Sequence, residues 1–320
     1  SLMDPATVDA IISAATRHWT PADHIEVTLE ANPNSVEAAR FADLAAAGVN
    51  RLSLGLQSFD DEALRFLGRA HSAHEGFRAL EIAQRNFRRV SFDLIYALPG
   101  DTEESWAASL GQALSLGTSH LSLYQLMIEP STRFAAMVAR RELEPLDSDA
   151  AAALYELTET MTSNAGKPSY EISNYARCGQ ESRHNLTYWR YGDFAGIGPG
   201  AHGRRLGQRT VRHRKPENYL SALQRNGHAS AEEAALTPEE AADEALVMGL
   251  RLREGVDPDA ISQRFGLQPI VDWGRVDRLV DSGHLQRSGT RIALTSAGRL
   301  LLDHILGEIA ATEPSYAVAS

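Results

Sequence analysis

Four short apolar runs, each leading to polar residues and each parted from the next by a helix-length stretch, constrain this chain more than any other feature. They are Ile25–Leu29, leading to Glu30-Ala31-Asn32-Pro33, and Arg51–Leu56, leading to Gln57-Ser58-Phe59. Next come Val90–Tyr96, which contains Asp93 and is closed by Leu98-Pro99-Gly100, and His120–Leu126, followed by Ile128-Glu129-Pro130. Strict alternation of strand and helix predicts a parallel sheet, either closed into a barrel or open. Ligands of such sheets bind at the carboxyl ends of the strands. Glu30 and Gln57 stand at that end, and Asp93 lies within a strand that leads to it. The expectation is an α/β fold with a polar ligand at the mouth of its sheet.

With 320 residues the chain is long enough for two domains. Its net charge of -11 argues against nucleic acid as the main partner, because phosphate binding needs a basic surface. No run of about 18 apolar residues is present, so no membrane span is expected, which is compatible with peripheral association. The amino end lacks the basic and apolar regions of a signal peptide. The single cysteine, Cys178, excludes an internal disulfide and suits a reducing compartment, hence the cytoplasm. It also excludes a cysteine-ligated cluster made by this chain alone. Composition leaves the oligomeric state open.

Along the chain, Asp4-Pro5 caps an opening helix with Val8, Ile11, Ile12 and Ala15 on one face. An opening with neither Met nor a leading strand is expected of a piece of a longer protein. A helix is predicted from Asp147 to about Asn164, and Ser169–Tyr175 alternates as a strand does. Arg183–Gly203 fits no regular element; its aromatics, glycines and two histidines suggest a functional loop. Within it, Gly196-x-Gly198-x-Gly200 is a weak phosphate-loop signal, better read as close backbone packing near the barrel mouth. Arg204–Lys215 is basic and reads as a solvated loop rather than a contact for propionates or phosphates. Residues 229–236 read as a connector.

Thr237-Pro238-Glu239-Glu240 and Asp257-Pro258 each open a helix, and a third covers Ile270–Leu279. A hairpin with a glycine turn spans His284–Leu294, and a helix capped by Thr295 runs to Ile309. This order is winged-helix-like. The module is not notably basic, so a structural or protein-docking role is expected of it rather than DNA binding. The domain expectation is a barrel with its extension over 1–228, the extension being about 145–228, and a terminal module over 236–312. The tail from Ala311 is expected to fray.

At these residues the chain resembles a family. Leu29-Glu30-Ala31-Asn32-Pro33, Gly48 through Phe59, Leu67-Gly68-Arg69-Ala70-His71 and Phe92 through Gly100 resemble radical S-adenosylmethionine (SAM) proteins akin to oxygen-independent coproporphyrinogen III oxidase. His184-Asn185-Leu186-Thr187-Tyr188-Trp189 looks like the signature of the HemW-type heme chaperones. The resemblance covers nearly the whole chain and includes the terminal module. It implies a partial (βα)6 barrel of which the last four strands are present, then a winged-helix-like domain. The family's C-x3-C-x2-C loop, which holds a [4Fe-4S] cluster, and its glycine-rich SAM-contacting stretch would both precede Ser1. The first strand is then expected to expose an unpaired edge.

The resemblance makes Glu30, Gln57, Arg69 and Asp93 the SAM-contacting set. The chemistry agrees: a guanidinium such as Arg69 binds a carboxylate bidentately, and Glu30, Gln57 and Asp93 suit hydroxyls or an ammonium. The structural alternative for Glu30 and Asp93 is an ion pair with Arg69 or Arg51. His184 is the candidate ligand to heme iron, Tyr188 and Trp189 would pack on the porphyrin, and Asn185 belongs to the same motif. Their structural alternative is a hydrogen-bonded loop with Trp189 in the core. His202 and Cys178 are weaker candidates for heme, and His120 reads as structural. Tyr124 and Met127 can line the ligand site, with core packing as the default.

Two functions follow from the resemblance. One is a heme chaperone that passes heme to acceptors such as respiratory heme proteins. The other is radical oxidative decarboxylation of porphyrinogen propionates. The His184-Asn185-x-x-Tyr188-Trp189 motif favours the first. A SAM-independent scaffold is a third reading. This chain by itself is expected to be inactive in radical chemistry, since it has no cysteines for the cluster.

Overall fold

Alternation of apolar and polar side chains builds the sheet, and the computed structural model, which describes residues 3–311, shows how. The chain divides into two compact units, one ending at Glu181 and the other beginning at Ser182. In the first unit α1 (Pro5–His18), capped by Asp4, precedes β1 (Thr28–Ala31). Two short helices follow, α2 (Ser35–Ala38) and α3 (Phe41–Ala46), and then β2 (Arg51–Gln57). Next come α4 (Asp61–Phe66), α5 (Ala73–Asn86), β3 (Arg89–Tyr96), α6 (Glu103–Ser115) and β4 (His120–Gln125). The unit closes with α7 (Arg133–Ala139), α8 (Ser148–Asn164) and β5 (Asn174–Ala176).

The sheet order is β1-β2-β3-β4-β5; the first four strands run parallel and β5 is antiparallel to β4. Successive residues of a strand point to opposite faces. One face carries Leu29, Leu52, Leu54, Leu56, Val90, Phe92, Leu94, Leu121 and Leu123, which join the core. Burying each of these large side chains contributes about 1.5–3 kcal/mol. Tyr96 stacks on Trp106 of α6 at 4.7 Å, and Trp106 Nε1 donates to Thr158 Oγ1 of α8 at 2.8 Å. The helices are held by their caps: Ser72 and Glu75 form a reciprocal capping box on α5.

The first strand begins three residues later than its sequence pattern suggests, and Ile25 is 48% exposed. The β2–β3 register shifts between Leu54 and Gln57, which leaves Gln57 buried with a left-handed φ of 68°. Of Ser169–Tyr175 only Asn174 onward is strand, with a single bridge from Ser169 to Tyr175.

The second unit opens with α9 (Arg183–Trp189). A three-stranded antiparallel sheet follows, β6 (His202–Arg205), β7 (Gln208–Arg212) and β8 (Ser230–Ala235), with α10 (Pro216–Asn226) between β7 and β8. The terminal module is α11 (Pro238–Leu250), α12 (Pro258–Phe265), α13 (Trp273–Asp281), the hairpin β9 (Leu285–Ser288) and β10 (Arg291–Leu294), α14 (Ser296–Arg299) and α15 (Leu302–Ile309). Three helices, a hairpin and closing helices agree with the winged-helix expectation. Residues 312–320, most of the tail expected to fray, lie outside the described residues.

Two expectations from the sequence are corrected here. Arg183–Gly203 is not wholly irregular: Ser182 caps a helix over Arg183–Trp189 by accepting from the Asn185 N–H. Arg204–Lys215 and the connector 229–236 are not loops but supply β7 and β8. Those strands are polar and exposed, so hydrophobic alternation does not announce them.

Candidate functional site

The second face of the parallel sheet is polar. Thr28 and Glu30 of β1, Arg51 and Ser53 of β2, Arg89, Ser91 and Asp93 of β3, and His120 and Ser122 of β4 fall in register on it. Ser53 Oγ donates to Asp93 Oδ1 at 3.2 Å, and Ser122 Oγ donates to Asn174 Oδ1 at 2.9 Å. Ser91 Oγ and His120 Nδ1 are 2.7 Å apart, and His120 Nε2 is 2.9 Å from Tyr170 Oη. Arg89 pairs with Glu26 at 2.5 Å. Burial pushes the Asp93 carboxyl up to about 6; the charge of Glu30 adds to the rise, while the Ser122 and Ser53 hydroxyls and Arg51 oppose it. His120 is held well below its ordinary value by burial and by the charges of Arg51 and Arg89, so it stays neutral, as a structural histidine does.

The four residues assigned to SAM by resemblance divide between two settings. Glu30 and Asp93 are coupled electrostatically at the carboxyl end of the polar face. Gln57 instead lines a cleft of about 540 Å3 with Phe59, Phe66, Leu98, Asp101 and Trp106. Arg69 follows α4 in a loop that is tied back to the end of β2, where His71 Nε2 lies 3.1 Å from the Leu56 carbonyl. Arg69 is half-buried, and its side chain has no acceptor among the described residues. Tyr124 and Met127 are 40% and 75% exposed, so the core-packing default for them is overturned.

In the second unit the helical period stacks His184 over Tyr188 and Asn185 over Trp189. His184 is exposed and meets the Tyr188 ring edge-on at 4.7 Å; Tyr188 meets Phe194 at 4.5 Å. Trp189 is half-buried, with the Arg251 guanidinium 4.6 Å over its ring. It lines a second cleft of about 320 Å3 with Tyr191, Glu254, Arg264 and Arg291. Within the glycine stretch Gly196 serves close packing, whereas Gly198 and Gly200 take left-handed φ values of 109° and 74°. A Cβ on Gly196 would stand 2.2 Å from the carbonyl oxygen of His202. His202 itself is exposed, as is Cys178.

Ser53, Ser122 and Phe194 join these sites without having been singled out from the sequence. The serines have a signal, since each interrupts an apolar strand at a position facing Asp93. Among the described residues no group of three or more His, Cys, Asp or Glu is placed to hold a metal ion. Among the described residues, no helix is long and apolar enough to cross a membrane.

Comparison with known proteins adds to the geometry. The radical SAM superfamily model matches residues 2–113, and the HemN C-terminal domain model matches 236–301. The chain is 44% identical over 266 residues to the mitochondrial radical S-adenosyl methionine domain-containing protein 1 of Mus musculus, covering 80% of this chain and 60% of that one. It is 35% identical over 291 residues to the heme chaperone HemW of Bacillus subtilis, covering 89% and 76%. It thus spans about 60% of the length of its mammalian relatives. Coproporphyrinogen III oxidase HemN from Escherichia coli superposes with a TM-score of 0.77 over 95% of this chain and 74% of its own, at 21% identity, which shows a shared fold.

Proposed function

Because the chain belongs to the HemW family of radical SAM proteins, we propose that it binds heme and delivers it to acceptor proteins, with SAM held in its parallel-sheet unit. The observation that carries this reading is α9, which presents an exposed imidazole, His184, against the edge of Tyr188. A neutral imidazole can take an axial position on heme iron, and Tyr188 with Phe194 offers an aromatic surface beside it. Arg69 would hold the SAM carboxylate and Glu30, Gln57 and Asp93 its hydroxyls and ammonium. SAM contributes a cationic sulfonium when bound; this chain's residues bind and orient it. The cluster would come from a segment outside these residues.

The relatives named as heme chaperones support heme as cargo, and respiratory heme proteins are the acceptors we expect. A lone exposed cysteine suits a reducing compartment, and we place the protein in the cytoplasm. Porphyrinogen oxidation is the second reading; the HemN likeness, which is one of fold, is compatible with it. Titration with hemin, followed in the Soret band, tests the proposal. Saturable binding that weakens about tenfold in His184→Ala supports it. A folded chain whose binding is the same in the variant removes His184 as ligand, and one that binds no heme defeats the chaperone reading for these residues.

A further inference from the structure

Gly55 stands in β2 between Leu54 and Leu56, both of which face the core, so its own place is on the polar face. It is the next position beyond Ser53 on that face toward the carboxyl end. Ser53 is the register partner of Glu30 and donates to Asp93. A glycine inside a strand weakens it, and the backbone does not call for one here, since the φ of Gly55 lies outside the left-handed region. What calls for it is Gln57. A Cβ on Gly55 would stand 3.3 Å from Gln57 Nε2, tighter than side chains ordinarily pack, and 3.9 Å from the Ala31 carbonyl oxygen. Gln57 contributes to the 540 Å3 cleft, yet its amide turns back over Gly55 onto the polar face. The bulge in β2 makes this turn. The register shifts between Leu54 and Gln57, and Gln57 takes a left-handed φ of 68°, which strains a residue other than glycine. Bulges of this kind re-aim a side chain. Gln57 is only 6% exposed, and its amide has no hydrogen-bond partner among the described residues.

We propose that Gly55 is a positioning residue: by leaving out a Cβ it lets the bulge lay the Gln57 amide on the ligand face of the sheet, where it joins Glu30 and Asp93. This rests on the reading that the sheet binds SAM, and it deepens that reading. An amide is uncharged and offers both donor and acceptor, so beside two carboxylates it suits a hydroxyl of the ligand, which also gives and takes. Gly55 acts through Gln57 and does not itself touch the ligand.

The test is a double-mutant cycle between Gly55 and Gln57, read by calorimetric titration with SAM and by thermal unfolding without it. Gly55→Ala is expected to weaken SAM binding severalfold and Gly55→Val about tenfold, as much as Gln57→Ala does. Gly55→Val added to Gln57→Ala should cost no further affinity, because no amide is left to displace. On heating, Gly55→Val should raise the melting temperature by about 2 °C more in the Gln57→Ala background than in the parent, where the valine must push the amide aside. The proposal is overturned if Gly55→Val binds SAM as the parent does, or if its effect on melting is the same in both backgrounds. It is also overturned if Gly55→Val weakens binding about tenfold again in the Gln57→Ala background, since the added methyls then meet the ligand itself. Where Gly55→Val does not fold, the cycle with Gly55→Ala decides by the same criteria. A parent that binds no SAM defeats the underlying reading separately, and the melting cycle still decides whether Gly55 positions Gln57.

Discussion

With its carboxyl pushed up to about 6 by burial, Asp93 changes charge close to neutral pH. The folded state holds this proton more tightly than the unfolded chain, whose carboxyl keeps the ordinary value of 3.8. Stability from this residue is therefore greatest below the unfolded value and is lost as pH rises through the folded one. The loss amounts to at most about 3 kcal/mol. Urea unfolding from pH 4 to 7 should show this decline in the parent and a flatter profile in Asp93→Asn; an equal decline in both would remove Asp93 as the cause. A cationic ligand has the opposite preference and binds the ionised form. SAM affinity should accordingly rise from pH 5 to 7, which isothermal titration measures. At this scale the sequence shows Asp93 as polar within an apolar run. It does not show the neighbours that set its pKa, because Ser53 and Ser122 come from other strands.

The parallel strands of the first unit were legible because burial of one face imposes a period of two on Leu52-Ser53-Leu54 and on Val90 through Tyr96. The bulge at Gln57 was not, since a register shift leaves the residue types unchanged. The helix α9 was hidden among aromatics and glycines, and its cap, Ser182, lies just outside the motif that draws attention. The strands β7 and β8 exist through their pairing and not through an apolar face. That arrangement has a sharp consequence at Gly196, where backbone approaches backbone. Gly196→Ala should destabilise the second unit by more than about 2 kcal/mol, because the His202 carbonyl cannot move aside as a side chain would. Denaturant unfolding reads this, and a change under half a unit of kcal/mol would contradict it. Replacing Thr237 by Ala removes one side of the capping box on α11 and should cost about 1 kcal/mol.

For the molecule as a whole, two compact units carry separate candidate sites: carboxylates and guanidinia on the parallel sheet, and a histidine with aromatics on α9. Residues 1–320 include one cysteine, exposed and without metal-binding neighbours among the described residues. Incubated with SAM and a strong reductant, this chain should release no 5′-deoxyadenosine, as chromatography of the products would show; its formation would refute the expectation. Heme binding, which we propose draws on α9, should survive under the same conditions. The general α/β architecture and the terminal module follow from local pattern, whereas the boundary at Glu181 depends on long-range contacts within each folded unit, which local pattern does not carry.

The two faces of the parallel sheet also divide the work of evolution. Along β3, Val90, Phe92, Leu94 and Tyr96 serve the core while Arg89, Ser91 and Asp93 serve the polar face. A substitution at one parity is judged by whether the chain folds, and at the other by what the folded chain can hold. Ligand preference can therefore drift, one strand position at a time, without the scaffold having to be reinvented.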